Sequence, residues 1–262
     1  MSQNKSVSTS FVQDSRHVSK SDKFVVIQPS QIATVLADHG FDMVGLKTGR
    51  AKDSSRQDHQ TTIARYRSNS QFEINGLNLD IMFKVPHLYG ALEARLGFFR
   101  GVCANQWNMG QLFQVEKVRH TGDALNQIDT LLPRLVAQQA SLIETIKLMQ
   151  ARNVTGTELA DLAQLVAAAR VDGIENVSRI ETVDLLKPRR QDDTATDLFT
   201  VANVLQENAT RFGIRYTTQS QDENGVINMR QYTSRRINEA SVKAIELNAS
   251  IWDIATKLIT AA

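Results

Sequence analysis

Cysteine is nearly absent: the 262 residues include one, Cys103. A lone thiol forms no internal disulfide and builds no thiolate metal site, in keeping with a reducing cytoplasm. Long apolar runs are missing too, with none near the ~20 residues that span a bilayer, so no membrane contact is expected. Residues 1–22 are rich in Ser, Gln and Lys and lack the apolar core of a secretory signal; a disordered tail is expected there. Catalytic spacings are also lacking. No phosphate-binding Gly-rich loop ending in Lys-Ser/Thr occurs, no dinucleotide fingerprint and no HExxH. The histidines His17, His39, His59, His87 and His120 are scattered along the chain. The sequence therefore predicts no enzyme, no cofactor and no metal.

What is present is an ordinary globular composition, 42% hydrophobic and 22% charged, long enough for one large domain or two small ones. The net charge of +2 is unevenly spread. Residues 1–120 carry 15 Lys+Arg against 10 Asp+Glu, and residues 121–262 carry 15 against 18. A basic first half suits a phosphate-bearing partner, although solvated surface gives the same asymmetry.

Along the chain, Phe24 to Ile27 predicts a buried strand, then Pro29-Ser30 a cap for a short helix to Asp38, with Gly40 as its stop. Phe41 to Leu46 predicts a strand and Lys47 to Gln60 an exposed basic loop. Further strands are predicted over Ile63–Tyr66, Gln71–Ile74 and Leu77–Val85, with Asn75-Gly76 as a hairpin turn. A short helix is expected within Tyr89–Phe99. The stretch from Leu96 to Gly122 then divides a strand-rich part from a helical one.

Beyond it, Leu125, Ile128, Leu132, Leu135, Leu142, Ile146 and Met149 recur at spacings of three and four, with Gln139 in the vacant slot. This predicts a seven-turn amphipathic helix, kinked or divided at Pro133, that either packs on the core or makes a subunit contact. Thr155-x-x-Glu158 is a capping box for a helix to about Val171. An irregular charged segment is expected over 172–193. Thr194 or Thr196 should cap a helix to Phe212, stopped by Gly213. A second hairpin over 214–234 is read from strands Ile214–Thr218 and Ile227–Ser234 around Asp222-Glu223-Asn224-Gly225, and a closing helix over Glu239–Thr260. The fold class is α+β, divided as a tail over 1–22, a strand-rich basic part over 23–122 and a helical part with a hairpin over 123–262, the last two continuous.

The clearest chemical signal is arginine interleaved with tyrosine. Arg65-Tyr66-Arg67 is one instance; Arg215-Tyr216, Arg230-Gln231-Tyr232 and Arg235-Arg236 repeat the theme on the second hairpin. Proteins that hold single strands combine phosphate-neutralising cations with rings on which bases stack. Strand alternation, however, sends Tyr66 to the face opposite Arg65 and Arg67. The rival chemistry is a Cys103 nucleophile with His120 as base and Asn105 as orienter, although Val102-Cys103-Ala104 equally suits a buried core thiol.

Phe99-Arg100-x-Val102-Cys103-Ala104-Asn105, Arg119-His120-Thr121-Gly122, Pro188-Arg189-Arg190-x-x-Asp193 and Asn203-x-x-Gln206-Glu207-Asn208 follow in order. Thr233-Ser234-Arg235-Arg236 and Leu247-Asn248-x-x-x-Trp252 complete the series. Together they resemble a phage- and plasmid-borne family catalogued as a domain of unknown function, over about residues 24–260. The chain departs from that family at Val85-Pro86-His87-Leu88-Tyr89-Gly90, where a turn like Asn-Ser-His-Asp-Gly is usual, and at Gln106, where Gly is usual. It is also similar to podovirus single-stranded-DNA-binding proteins that serve as cofactors of a phage RNA polymerase.

The resemblance implies a sequence-independent single-stranded-DNA-binding protein in the infected host's cytoplasm, supporting transcription, replication or recombination. An RNA polymerase or replication protein is the implied partner. The alternatives are an interaction or structural protein with an acidic protein partner, and the Cys103/His120 enzyme. Phosphates are expected at Lys47, Arg50, Lys52, Arg56, Arg65 and Arg67, then at Arg100 and Arg119. Tyr66, Tyr216 and Trp107 are the expected stacking rings. Arg119 and His120 could instead bond backbone carbonyls at the start of the long helix. Self-association is expected through the 125–149 helix.

Overall fold

The computed structural model describes residues 16–49, 59–69, 73–74, 77–100, 115–171, 174–191, 193–237 and 241–260. The fold is α+β, with a strand-rich first part and a mainly helical second part that carries a hairpin. Two compact units divide at residues 140 and 141. The predicted change of composition at 122/123 therefore precedes the division, because the first helix beyond it packs with the strands.

In the first unit, α1 (Pro29–Asp38) is followed by β1 (Phe41–Thr48), β2 (Thr62–Ser68), β3 (Glu73–Ile74), β4 (Leu77–Val85), β5 (Leu92–Arg100), β6 (Val115–Val118) and α2 (Ala124–Ala137). The strands form one antiparallel sheet in the order β1-β2-β4-β5-β6, with β3 paired to β4. Ile74 lies opposite Leu77 as a tight hairpin requires, while Asn75 and Gly76 fall outside the described residues. One face of the sheet buries Ala64, Tyr66, Ile81, Phe83, Leu92 and Leu96. Over it lie α1, burying Ile32 and Leu36, and α2, burying Ile128, Leu131, Leu132 and Leu135. Each such side chain contributes about 1.5–3 kcal/mol relative to exposure.

Several expectations are corrected here. Helix α1 is opened by Gln28, not Ser30: Pro29 takes the first helical position, where its missing N–H costs nothing, and Gln28 N–H bonds the Gln31 side chain at 2.8 Å. Phe24 to Ile27 forms no strand; Val25 N–H donates to His120 O at 3.0 Å instead. No helix forms within Tyr89–Phe99. Leu92, Ala94 and Leu96 are buried while Glu93 and Arg95 between them are half-buried, a period of two that makes a strand.

The predicted seven-turn helix is two helices, α2 and α3 (Gln139–Ala151), and the break comes at Gln138 rather than at Pro133. Proline forfeits one backbone bond, but the burial of Leu131, Leu132 and Leu135 around it holds the helix for another turn. Ile128, Leu132, Leu135, Leu142, Ile146 and Met149 are all buried within one chain. Leu125, which opens the pattern, is half-buried.

In the second unit, α4 (Gly156–Arg170) opens on the predicted capping box: Thr155 Oγ1 accepts from Glu158 N–H, and Thr155 N–H donates to Glu158 at 2.9 Å. The charged segment expected to be irregular contains β7 (Val177–Glu181), which pairs with the hairpin of β8 (Arg215–Gln221) and β9 (Ile227–Thr233). Helix α5 (Leu198–Arg211) is capped by Asp197, whose carboxylate accepts from Thr200 N–H, rather than by Thr194 or Thr196. Helix α6 (Val242–Thr260) closes the described chain. No helix among the described residues is long and apolar enough to cross a membrane.

Candidate nucleic-acid interface

The basic face of the first sheet holds three of the expected phosphate contacts, Lys47, Arg65 and Arg67. Register puts Lys47, Arg65, Arg67, Lys84, Arg95 and Lys117 on the face away from the core, with Asp42, Asp80 and Glu93 among them. Buried Asp80 and half-buried Glu93 are each held by two cations. Asp80 receives Arg65 at 3.2 Å and Arg67 at 2.8 Å. Glu93 receives Lys84 and Arg95, both at 3.0 Å. Burial pulls the Arg65 guanidinium below the ordinary arginine value, with Asp80 opposing and Arg67 adding to the shift. Burial likewise raises the Asp80 carboxyl, against the bond from Arg67 and the charge of Arg65. Glu93 sits below the usual range: desolvation opposes the shift, but the bonds from Arg95 and Lys84 outweigh it. Drawing Arg65 and Arg67 onto phosphates would strand the buried Asp80 carboxylate, at a cost of several kcal/mol.

Tyr66 is corrected outright as a stacking ring. It has no exposed surface, donates its hydroxyl to Pro29 O at 2.7 Å and meets the Phe83 ring edge-on. Arg65 is 3% exposed and is likewise no surface contact. Arg67 is half-buried on Asp80, and Lys47 is half-buried opposite Ile63. Arg100 ends β5 opposite Leu77. Arg119 is exposed just after β6. His120 bonds the backbone, its Nδ1 donating to Val25 O at 3.2 Å. Arg50, Lys52, Arg56, Trp107, Cys103 and Asn105 lie outside the described residues.

The second hairpin offers a different environment. Tyr216 and Tyr232 are cross-strand partners whose rings stack at 5.7 Å and 22°. They stand at the wall of a groove of about 600 Å³ that is also lined by Arg170, Arg235, Arg236, Lys243 and Ser241. No Asp or Glu lines it among the described residues. Arg170, buried at the end of α4, donates to Ala209 O at 3.0 Å and to Arg235 O, and so fixes the backbone from which Arg235 projects. Ser241 Oγ accepts from Ala244 N–H at 3.2 Å and so caps the start of α6. Tyr232 is 42% exposed, so its ring is available to a ligand.

A glycine packs against Ser234, one of the residues lining the groove. Gly213 has φ +79°, and a Cβ there would fall 2.1 Å from Ser234 O. This close approach lets Ser234 N–H reach Ile214 O at 2.9 Å and Ser234 Oγ accept from Ile214 N–H at 2.8 Å. Of the expected site residues, only Tyr216 stands in this groove. Tyr232, Arg235 and Arg236 were visible as a sequence theme; Arg170, Ser241 and Lys243 were not, because no local pattern brings three separate segments together.

The Pro188–Asp193, Asn203–Asn208 and Leu247–Trp252 motifs meet at α5, which is buried from Leu198 to Thr210. Arg189 donates to Asn208 at 3.0 Å, Arg190 and Arg211 both reach Glu207, and Gln206 donates to Asn248 at 2.8 Å. Asn208 also donates to the carbonyls of Leu185 and Lys187. This network satisfies the polar side of a buried helix and is structural.

Four of the five histidines, scattered in sequence, also gather. His17 meets His59 edge-on at 4.9 Å, and Phe24 stacks on His120 at 4.7 Å. His87, 2% exposed, is pushed down to about 4 by burial, then by the charges of His120 and His59. Among the described residues no group of three His, Cys, Asp or Glu could hold a metal ion.

A family model described as "Domain of unknown function (DUF932)" matches residues 16–252. Two proteins of Escherichia coli (strain K12), the UPF0380 proteins YfjQ and YafZ, are each 23% identical over 251 residues, covering 94% of this chain and 86% of their own. No solved structure matches the chain.

Proposed function

The chain belongs to the family of the domain of unknown function DUF932, and we propose from its own chemistry that it is a single-stranded-DNA-binding protein that contacts DNA through the Tyr216/Tyr232 groove. The observation that carries this reading is the groove's content: a half-exposed stacked tyrosine pair beside the exposed side chains of Arg235, Arg236 and Lys243. Cations attract phosphate, and an exposed ring accepts any base, which gives binding without sequence preference. A duplex keeps its bases stacked on one another and cannot offer one to Tyr232. The motif Thr233-Ser234-Arg235-Arg236, shared with the phage-type proteins the sequence resembles, lines the same groove. In this reading the protein is non-catalytic and serves a transcription, replication or recombination partner inside the cell.

The test is fluorescence anisotropy of a labelled oligonucleotide at two salt concentrations with a duplex competitor. Binding that falls log-linearly with salt and resists duplex supports the proposal. Equal competition by duplex reduces it to charge attraction, and no binding at low salt refutes it.

A further inference from the structure

The hairpin extends well past the groove. Every residue of β9 is exposed, as are Ser220 and Gln221 at the end of β8. Register sorts its side chains onto two faces with different chemistry. One face carries Tyr216 and Tyr232, then Thr218 opposite Arg230, then Ser220 opposite Asn228. The other carries Arg215, which is tied to Glu181 and Asp184, and the apolar Met229 and Ile227. Only the first face continues the groove's combination of ring, cation and hydrogen-bonding groups without an acid.

We infer that this face of the β8–β9 arm, with Arg230 as its cation and Thr218 and Asn228 beside it, is a second contact for the DNA backbone, so that a bound strand runs outward from the groove along the arm. The inference rests on the single-strand reading above. Arg230 lies two residues from Tyr232 on the same face, about 7 Å along the strand, and Asn228 about 14 Å. An extended strand with a base on Tyr232 therefore passes Arg230 with its next phosphates. The track ends before the hairpin turn. There Asp222 and Glu223 place two acids, and the Asp222 carboxylate is already occupied by the N–H groups of Asn224 and Val226.

The experiment measures affinity of the full chain for oligothymidylates of increasing length, comparing wild type, Arg230→Ala and the double variant Arg235→Ala/Arg236→Ala. Arg230 is exposed, and no side-chain bond or ion pair of it is described, so its removal leaves the fold intact; equal melting temperatures check this. The double variant should weaken binding at every length. Arg230→Ala should leave the shortest bound oligonucleotide unaffected, weaken long ones roughly five- to tenfold and lower their salt slope by about 0.7, one phosphate's share for a single strand. If Arg230→Ala matches wild type at all lengths while the double variant binds poorly, the arm contact is refuted and the groove stands. If no oligonucleotide binds wild type, both fall.

Discussion

At the scale of single residues, the same amino acid does opposite work according to what surrounds it. Arg65 and Arg67 look like a phosphate clamp in sequence, yet Asp80, which has no exposed side-chain surface, claims both. Asp80→Ala should therefore strip the counter-charge from the buried Arg65 and destabilise the protein by roughly 3–5 kcal/mol, read from the denaturant midpoint at unchanged slope. Removing both partners with apolar residues of like volume should cost far less, because the penalty lies in an uncompensated charge. Glu207 holds a similar position between Arg190 and Arg211. These pairings could not be read from the sequence, since each joins residues 13 or more positions apart with the exception of Arg211.

At the scale of elements, glycine at 213 is the tightest constraint. Gly213→Ala must both accept a positive φ and move Ser234 O from 2.1 Å. A loss of about 2 kcal/mol or more is expected, with weaker oligonucleotide binding because Ser234 and Arg235 form the groove wall. A thermal melt alongside the binding assay checks both effects. The glycine stop was legible in the sequence, as were the capping box at Thr155, the second hairpin and the alternating β4, all written in short-range residue chemistry. What was not legible was tertiary. Pro133 did not end its helix because buried leucines on either side held it. Phe24 to Ile27 found His120 rather than a sheet. The seam from Ile128 to Met149 could have met the core or a second copy, and periodicity alone does not distinguish them. The candidate site was half legible: the Arg/Tyr theme pointed to the hairpin, but local pattern could not show that Tyr66 is buried and Tyr232 is not.

At the scale of the whole molecule, the clustered histidines make stability depend on pH. His87 and His120 are both held below the ordinary histidine value, chiefly by burial. A depressed folded-state value stabilises the fold above the unfolded value near 6.5 and loses that contribution as pH falls toward the folded one, about 4 for His87. His87 alone should account for about 3 kcal/mol across that window. The melting temperature should fall between pH 7.5 and 4.5, and His87→Phe should flatten the dependence; an unchanged slope in the variant would remove His87 as its cause.

The central claim is that DNA is held by the groove of the second hairpin and not by the basic sheet of the first unit. The most direct measurement compares oligonucleotide affinity of Tyr232→Ala and Arg67→Ala with wild type under identical salt. Loss of a stacking base should cost Tyr232→Ala about 1–3 kcal/mol, tenfold or more in affinity, while Arg67→Ala stays within about twofold. The reverse pattern, with Arg67→Ala crippled and Tyr232→Ala unaffected, would contradict the account and return the interface to the sheet.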